Sequence, residues 1–222
     1  MMTKLIISGP IFSGIVALLC SAVTLPLVTW GLGNRAIACL PSSPKVSPAR
    51  PVAVSRPRPA TQTVKDQRTQ QNLLLKLYDK AGIPFTTYVP PAGLAAQEVR
   101  TPQGLEVRFR DTTGEGKVAY VQVMFPAQKI STGQLFRDAL NNQGMFKDQQ
   151  WKIVGPQKTP LTWAKARFEF EKPFTAQQNT MGTLYVGEHR GKGFYVIVTY
   201  PADYGDGFAP RANLIPKYFE LR

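Results

Sequence analysis

From about residue 83 onward, apolar and polar side chains alternate in short runs, and consecutive runs are separated only by turns. Leu105, Val107 and Phe109 fall on one side of such a run, and Glu106, Arg108 and Arg110 on the other. Ala164, Ala166, Phe168 and Phe170 alternate in the same way with Lys165, Arg167 and Glu169. A period of two with one dry and one wet face is the mark of a half-buried antiparallel strand. Parallel neighbours need a crossover of a dozen or more residues. Pro102-Gln103-Gly104 and Arg190-Gly191-Lys192 leave room only for hairpins.

The remaining elements follow from the same patterning. Strands are expected at Phe85–Val89, Gln97–Thr101, Leu105–Arg110, Val118–Phe125, Trp151–Val154, Trp163–Phe170, Thr183–Glu188 and Phe194–Tyr200. Val118–Phe125 is continuously apolar and reads as central. A short helix is expected over Gln70–Ala81, with Leu73, Leu74 and Leu77 on one stripe and Gly82 and Pro84 ending it. A second spans Thr132–Asn142, where Ser131 and Gln134 match a capping box. A third starts near Pro210 and is interrupted at Pro216. Residues 69–222 thus form one α+β domain, an antiparallel β-sheet with helices packed on it. This domain contains no cysteine, so neither a disulfide nor a thiolate metal site supports it.

The other end of the chain is of a different kind. Between Lys4 and Arg35 no side chain is charged, and Ile11–Trp30 matches the roughly 20 apolar residues a spanning helix needs. Residues 1–38 read as a membrane anchor or signal segment, with the bilayer contacted through residues 5–34. Three readings stay open. The uncharged length favours an uncleaved anchor, and Trp30 suits an interfacial position. Ala36-Ile37-Ala38 resembles a small-x-small cleavage exit. Cys39 after Ala38 is a lipidation candidate, although Ala36 stands where a lipobox usually has Leu. Charge flanking the segment leans towards a cytoplasmic domain. The signal-like start followed by a proline spacer favours an extracytoplasmic one, and that side is preferred.

Residues 39–68 read as a proline-rich basic linker. Pro41, Pro44, Pro48, Pro51, Pro57 and Pro59 recur without helical or strand periodicity, giving an extended spacer of roughly 3.1 Å per residue where polyproline II holds. Six basic residues against Asp66 give it a charge of +5, suited to contact with anionic lipid headgroups or simply to solvation. The chain's net charge is +13, of which the anchor's Lys4 and Arg35 carry +2 and residues 69–222 carry +6. The domain is therefore mildly basic with dispersed charge, unlike the clustered face of a nucleic-acid module, and no nucleic-acid partner is expected.

Few residues suggest catalysis. His189 is the only histidine, and its neighbour Glu188 points to the opposite face if both lie in a strand. No Gly-x-Ser-x-Gly elbow is present, and one histidine without cysteine cannot build a zinc site of the usual kind. Gly187–Gly193 is a residue short of a phosphate loop and is followed by a strand. Asp203 and Asp206 supply two carboxylates in a turn, too few for calcium without further ligands. No metal or cofactor is expected. The most suggestive cluster is Tyr200, Tyr204, Phe208 and Arg211, beside the glycines of Gly205-Asp206-Gly207. Aromatic rings beside arginine suit a partner surface on a mobile loop. A cap over the end of the sheet and the last helix is the plainer reading of the same rings.

Tyr88-Val89-Pro90-Pro91 leading into amphipathic strands, and a closing strand running into Tyr200-Pro201-Ala202-Asp203-Tyr204, resemble the PsbP-like superfamily. The resemblance covers most of residues 83–219 and implies a PsbP-like sandwich with a lumenal or periplasmic, non-enzymatic accessory role in photosynthesis. The anchor and long basic spacer depart from that pattern. The expected function is a membrane-tethered extracytoplasmic accessory or binding domain without catalysis, with an unidentified protein partner. The alternatives are a hydrolase using His189 or a carboxylate pair from Asp203, Asp206 and Glu188, and a cytoplasm-facing protein whose spacer binds anionic lipid or nucleic acid.

Overall fold

A computed structural model describes residues 57–66, 69–114, 118–173 and 179–222. The expected membrane segment, Cys39 and the expected linker up to residue 56 lie outside the described residues. Among the described residues, no helix is long and apolar enough to cross a membrane.

The first difference from expectation is a hairpin. Thr61–Lys65 (β1), inside the expected linker, pairs antiparallel with Asn72–Tyr78 (β2), inside the expected first helix. Asp66 organises the connection, accepting the Gln70 N–H on its carbonyl and the Thr69 N–H on its carboxylate. In β2, Leu73, Leu75 and Leu77 turn inward, while Leu74 is 52% exposed. The three consecutive leucines permit a period of two as readily as a helical stripe. The presence of a pairing edge in β1 decides between them.

β2 continues onto Phe85–Val89 (β3), and β3 pairs on its other side with the two-residue C-terminal strand β11, Glu220–Leu221. This four-stranded sheet lies apart in hydrogen bonding from a seven-stranded one. The larger sheet contains β4 (Leu94–Thr101), β5 (Gly104–Asp111), β6 (Tyr120–Pro126), β7 (Lys152–Gln157), β8 (Ala164–Pro173), β9 (Asn179–His189) and β10 (Lys192–Pro201). Its order is β4-β5-β6-β10-β9-β8-β7, and every pairing is antiparallel. The β9–β10 hairpin turns on Arg190 and Gly191 at φ of 51° and 72°, the left-handed pair of a tight two-residue turn.

Both faces of the large sheet are covered. On one face Val107, Phe109, Phe194 and Val198 pack with Phe85 of the small sheet and with Phe208, Ile215 and Phe219 from the C-terminal helices. On the other, Tyr195, Ile197, Phe168 and Phe170 pack with Leu135 and Ala139 of helix α1 (Thr132–Leu140) and with Phe146 and Trp151. β10 contributes alternate residues to both cores, which explains its nearly unbroken burial. Each buried phenylalanine removes enough apolar surface to contribute roughly 1.5–3 kcal/mol. α1 is capped as expected at its start, the Ser131 hydroxyl accepting the Gln134 N–H at 3.1 Å. The reciprocal half of the box is not made, because the Gln134 side-chain oxygen accepts from Arg137 instead, while its amide donates to Asp138.

Two further details differ from the pattern reading. A bulge between Ala164 and Ala166 shifts the β8 register, so Ala164 joins one core while Phe168 and Phe170 join the other. The last helix begins at Gly205 instead of near Pro210: α2 covers Gly205–Ala212 and α3 covers Leu214–Lys217. The glycines expected in a mobile loop therefore form a first helical turn.

Candidate functional site

α2 and α3 pack on the first core and bring the candidate aromatic cluster to the sheet. Phe208 is fully buried, 5.9 Å from the Tyr200 ring and 6.1 Å from the Tyr204 ring. Burial raises the Tyr200 pKa, with Glu169 adding to the shift. The Tyr204 hydroxyl donates to Asp111 Oδ2 at 2.5 Å. Asp111 also accepts from the Thr113 N–H at 2.9 Å and the Thr113 hydroxyl at 2.7 Å. The Arg211 guanidinium lies 3.7 Å from the same carboxylate, whose side chain has no exposure. Burial by itself would raise the Asp111 pKa, but the hydrogen bonds from Tyr204 and Thr113 and the charge of Arg211 outweigh it and hold the carboxyl below its usual range. The structure thus brings the four expected residues together. Phe208 serves the core, Tyr204 and Arg211 tie α2 to the end of β5, and Tyr200 stays half-buried.

The candidate catalytic residues are distributed differently. His189 closes β9, paired opposite Lys192, and its ring meets Phe125 edge-on at 6.1 Å. Burial and the neighbouring Arg190 depress its pKa. Glu188 faces away and accepts from the Thr132 hydroxyl at 3.3 Å. Asp203 and Asp206 lie past the opposite end of β10, whose 10 residues span roughly 30 Å at 3.2–3.4 Å per residue. A site combining either aspartate with His189 or Glu188 is therefore ruled out by topology. No group of three metal-ligating side chains occurs among the described residues.

Two concavities flank α3. The first, of about 250 Å³, lies between the β1–β2 hairpin and the helices, with Val64, Leu73 and Leu214 as apolar lining and Lys65, Asp66, Arg211 and Lys217 as charged lining. The second, of about 440 Å³, is lined by Trp163, Tyr185, Phe219 and Pro216, together with Leu161, Asn213 and Lys217. Asn213 and Lys217 line both. Trp163 is fixed by its indole N–H, which donates to the Pro216 carbonyl at 2.9 Å. Burial raises the Tyr185 pKa, opposed by Arg167. Sequence patterning placed Trp163 at the start of an expected strand and did not single out Tyr185 or Lys217. These residues come from strands and a helix far apart in the chain, and no local spacing links them.

The domain is an α+β protein of two antiparallel sheets with helices on both sides of the larger one. No protein-family model matches the sequence, and no curated protein does. The structure is weakly similar in fold to the solution structure of cyanobacterial PsbP (CyanoP) from Synechocystis sp. PCC 6803, with a TM-score of 0.43 and 15% identity over 67% of this chain and 92% of that one. A Bacteroides thetaiotaomicron protein is also similar, with a TM-score of 0.41 and 13% identity over 66% of this chain and 48% of that one.

Proposed function

We propose that the chain is a membrane-tethered accessory domain that binds and does not catalyse, displayed on the extracytoplasmic side in a periplasm or thylakoid lumen. The observation that carries the non-catalytic part is the separation of His189 and Glu188 from Asp203 and Asp206 by the length of β10. The tether rests on the uncharged stretch between Lys4 and Arg35, with Cys39 as the acylation point if the segment is processed. The basic spacer suits anionic headgroups. A photosynthetic setting is supported by the Tyr88-Val89-Pro90-Pro91 and Tyr200–Tyr204 patterns of the PsbP-like superfamily.

Protease added to sealed vesicles with the cytoplasmic face outward is expected to leave the domain intact, and its digestion there would overturn the assigned side. A chain carrying both His189→Ala and Asp203→Asn is expected to fold and to restore whatever phenotype deletion of the gene causes. Failure of that folded variant would favour the hydrolase.

A further inference from the structure

We propose that the cavity beside α3 is a binding site for a small amphipathic anion: a flat apolar body against Trp163 and Tyr185, and a single acidic head at Lys217. This deepens the binding-domain reading by naming a ligand class. The cavity, about 440 Å³, is within the range that encloses small molecules, which are held mainly by apolar and aromatic walls with a few polar groups fixing orientation. Its walls are preorganised. Trp163 packs 4.9 Å from Phe219 and 5.9 Å from Tyr185, and the bond to the Pro216 carbonyl both satisfies the indole donor and sets the ring plane. A ligand there gains stacking area without ordering the ring or competing for its N–H.

The polar groups at the cavity define the head. Lys217 is its one charged lining residue. Its ammonium sits 5.5 Å from the Tyr218 ring and forms no ion pair among the described residues. Asn213, exposed beside it, adds an amide donor. On the far side of Lys217, in the adjoining groove, Lys65 and Asp66 offset each other and Arg211 is answered by Asp111, so the Lys217 charge sets the field at the head position and favours an anion. A cationic or neutral polar ligand would leave Lys217 unanswered and the aromatic wall poorly used.

Anilinonaphthalene sulfonate has this shape and charge, and phenylnaphthylamine is the same ring system without the sulfonate. With the purified full chain, the sulfonate probe is expected to bind saturably and to receive energy transfer from Trp163. Lys217→Gln, an exposed substitution that spares the core, is expected to weaken it about tenfold, the loss of one charge-assisted contact, and to leave phenylnaphthylamine binding unchanged. Trp163→Phe is expected to weaken both probes. Absence of saturable binding, equal sulfonate affinity in wild type and Lys217→Gln, or equal weakening of both probes by Lys217→Gln would overturn the site. Such a failure leaves the vesicle and His189→Ala results untouched, so the binding-domain reading stands or falls separately.

Discussion

Asp111 has no side-chain exposure, yet it is surrounded by the Tyr204 hydroxyl, two donors of Thr113 and the Arg211 guanidinium. A buried carboxylate satisfied in this way contributes more than a neutral hydrogen bond would, and Tyr204→Phe is expected to cost about 2 kcal/mol in urea denaturation. The pH dependence has a definite sign. The folded pKa of Asp111 is depressed, so the unfolded chain, with an Asp value of about 3.9, binds the proton more readily. Its stabilisation is complete above about pH 4 and is lost as pH falls through the lower folded value. Asp111→Asn is expected to lower stability at neutral pH and to flatten this part of the acid limb, which denaturation midpoints measured across that window would check. Gly93 belongs to the same knot. Its φ is +87°, and a Cβ there would meet Arg211 Nη1 at 2.5 Å. Gly93→Ala therefore combines backbone strain with displacement of the guanidinium, and a loss of about 1–3 kcal/mol is expected in the same assay. Sequence reading found Tyr204 and Arg211 from their local spacing but missed Asp111, which lies 93 residues from Tyr204 along the chain.

The elements most legible from sequence were those whose pattern is fixed by immediate neighbours. β5, the β9–β10 hairpin and α1 with its Ser131 cap all fall where alternation, turn chemistry and capping place them. The β1–β2 hairpin was missed twice over, because each strand supplies the evidence for the other. Once Pro57 and Pro59 suggest that linker continues through Thr61–Lys65, Asn72–Tyr78 has no visible partner and its leucines read as a helical stripe. The bulge in β8 was hidden for a different reason: inserting one residue changes which face Ala164 meets without altering the alternation around it. The β2 assignment makes a sharp prediction. Leu75 is fully buried and Leu74 is half exposed, so Leu75→Ala is expected to cost about 2–5 kcal/mol and Leu74→Ala within about 0.5 kcal/mol. A helix with Leu73, Leu74 and Leu77 on its buried stripe would make Leu74 the costly position, so guanidinium midpoints of the two variants distinguish the arrangements.

At the scale of the whole domain, the large sheet lies between two cores that share β10. Phe194, Val196 and Val198 face the small sheet and the C-terminal helices, while Tyr195 and Ile197 face α1. Neither layer can leave without exposing one face of this central strand, so the two cores are expected to unfold as one cooperative unit. Phe109 and Phe146 probe them separately, since each is buried in only one core. Phe109→Ala and Phe146→Ala are each expected to cost about 3–5 kcal/mol, with one transition and an unchanged denaturant slope in both variants. Tryptophan fluorescence follows the two layers independently, through Trp163 against the first core and Trp151 within the second. With Trp30 replaced by Phe throughout, Phe and Tyr replacements at Trp163 or at Trp151 isolate each signal. If the layers were autonomous, Phe146→Ala would move the Trp151 transition to lower denaturant and leave that of Trp163 in place. A shared β10 requires the two transitions to move together, because Phe146, which packs on Trp151, meets Tyr195, and Phe194, which packs on Trp163, is the next residue along the same ten-residue strand.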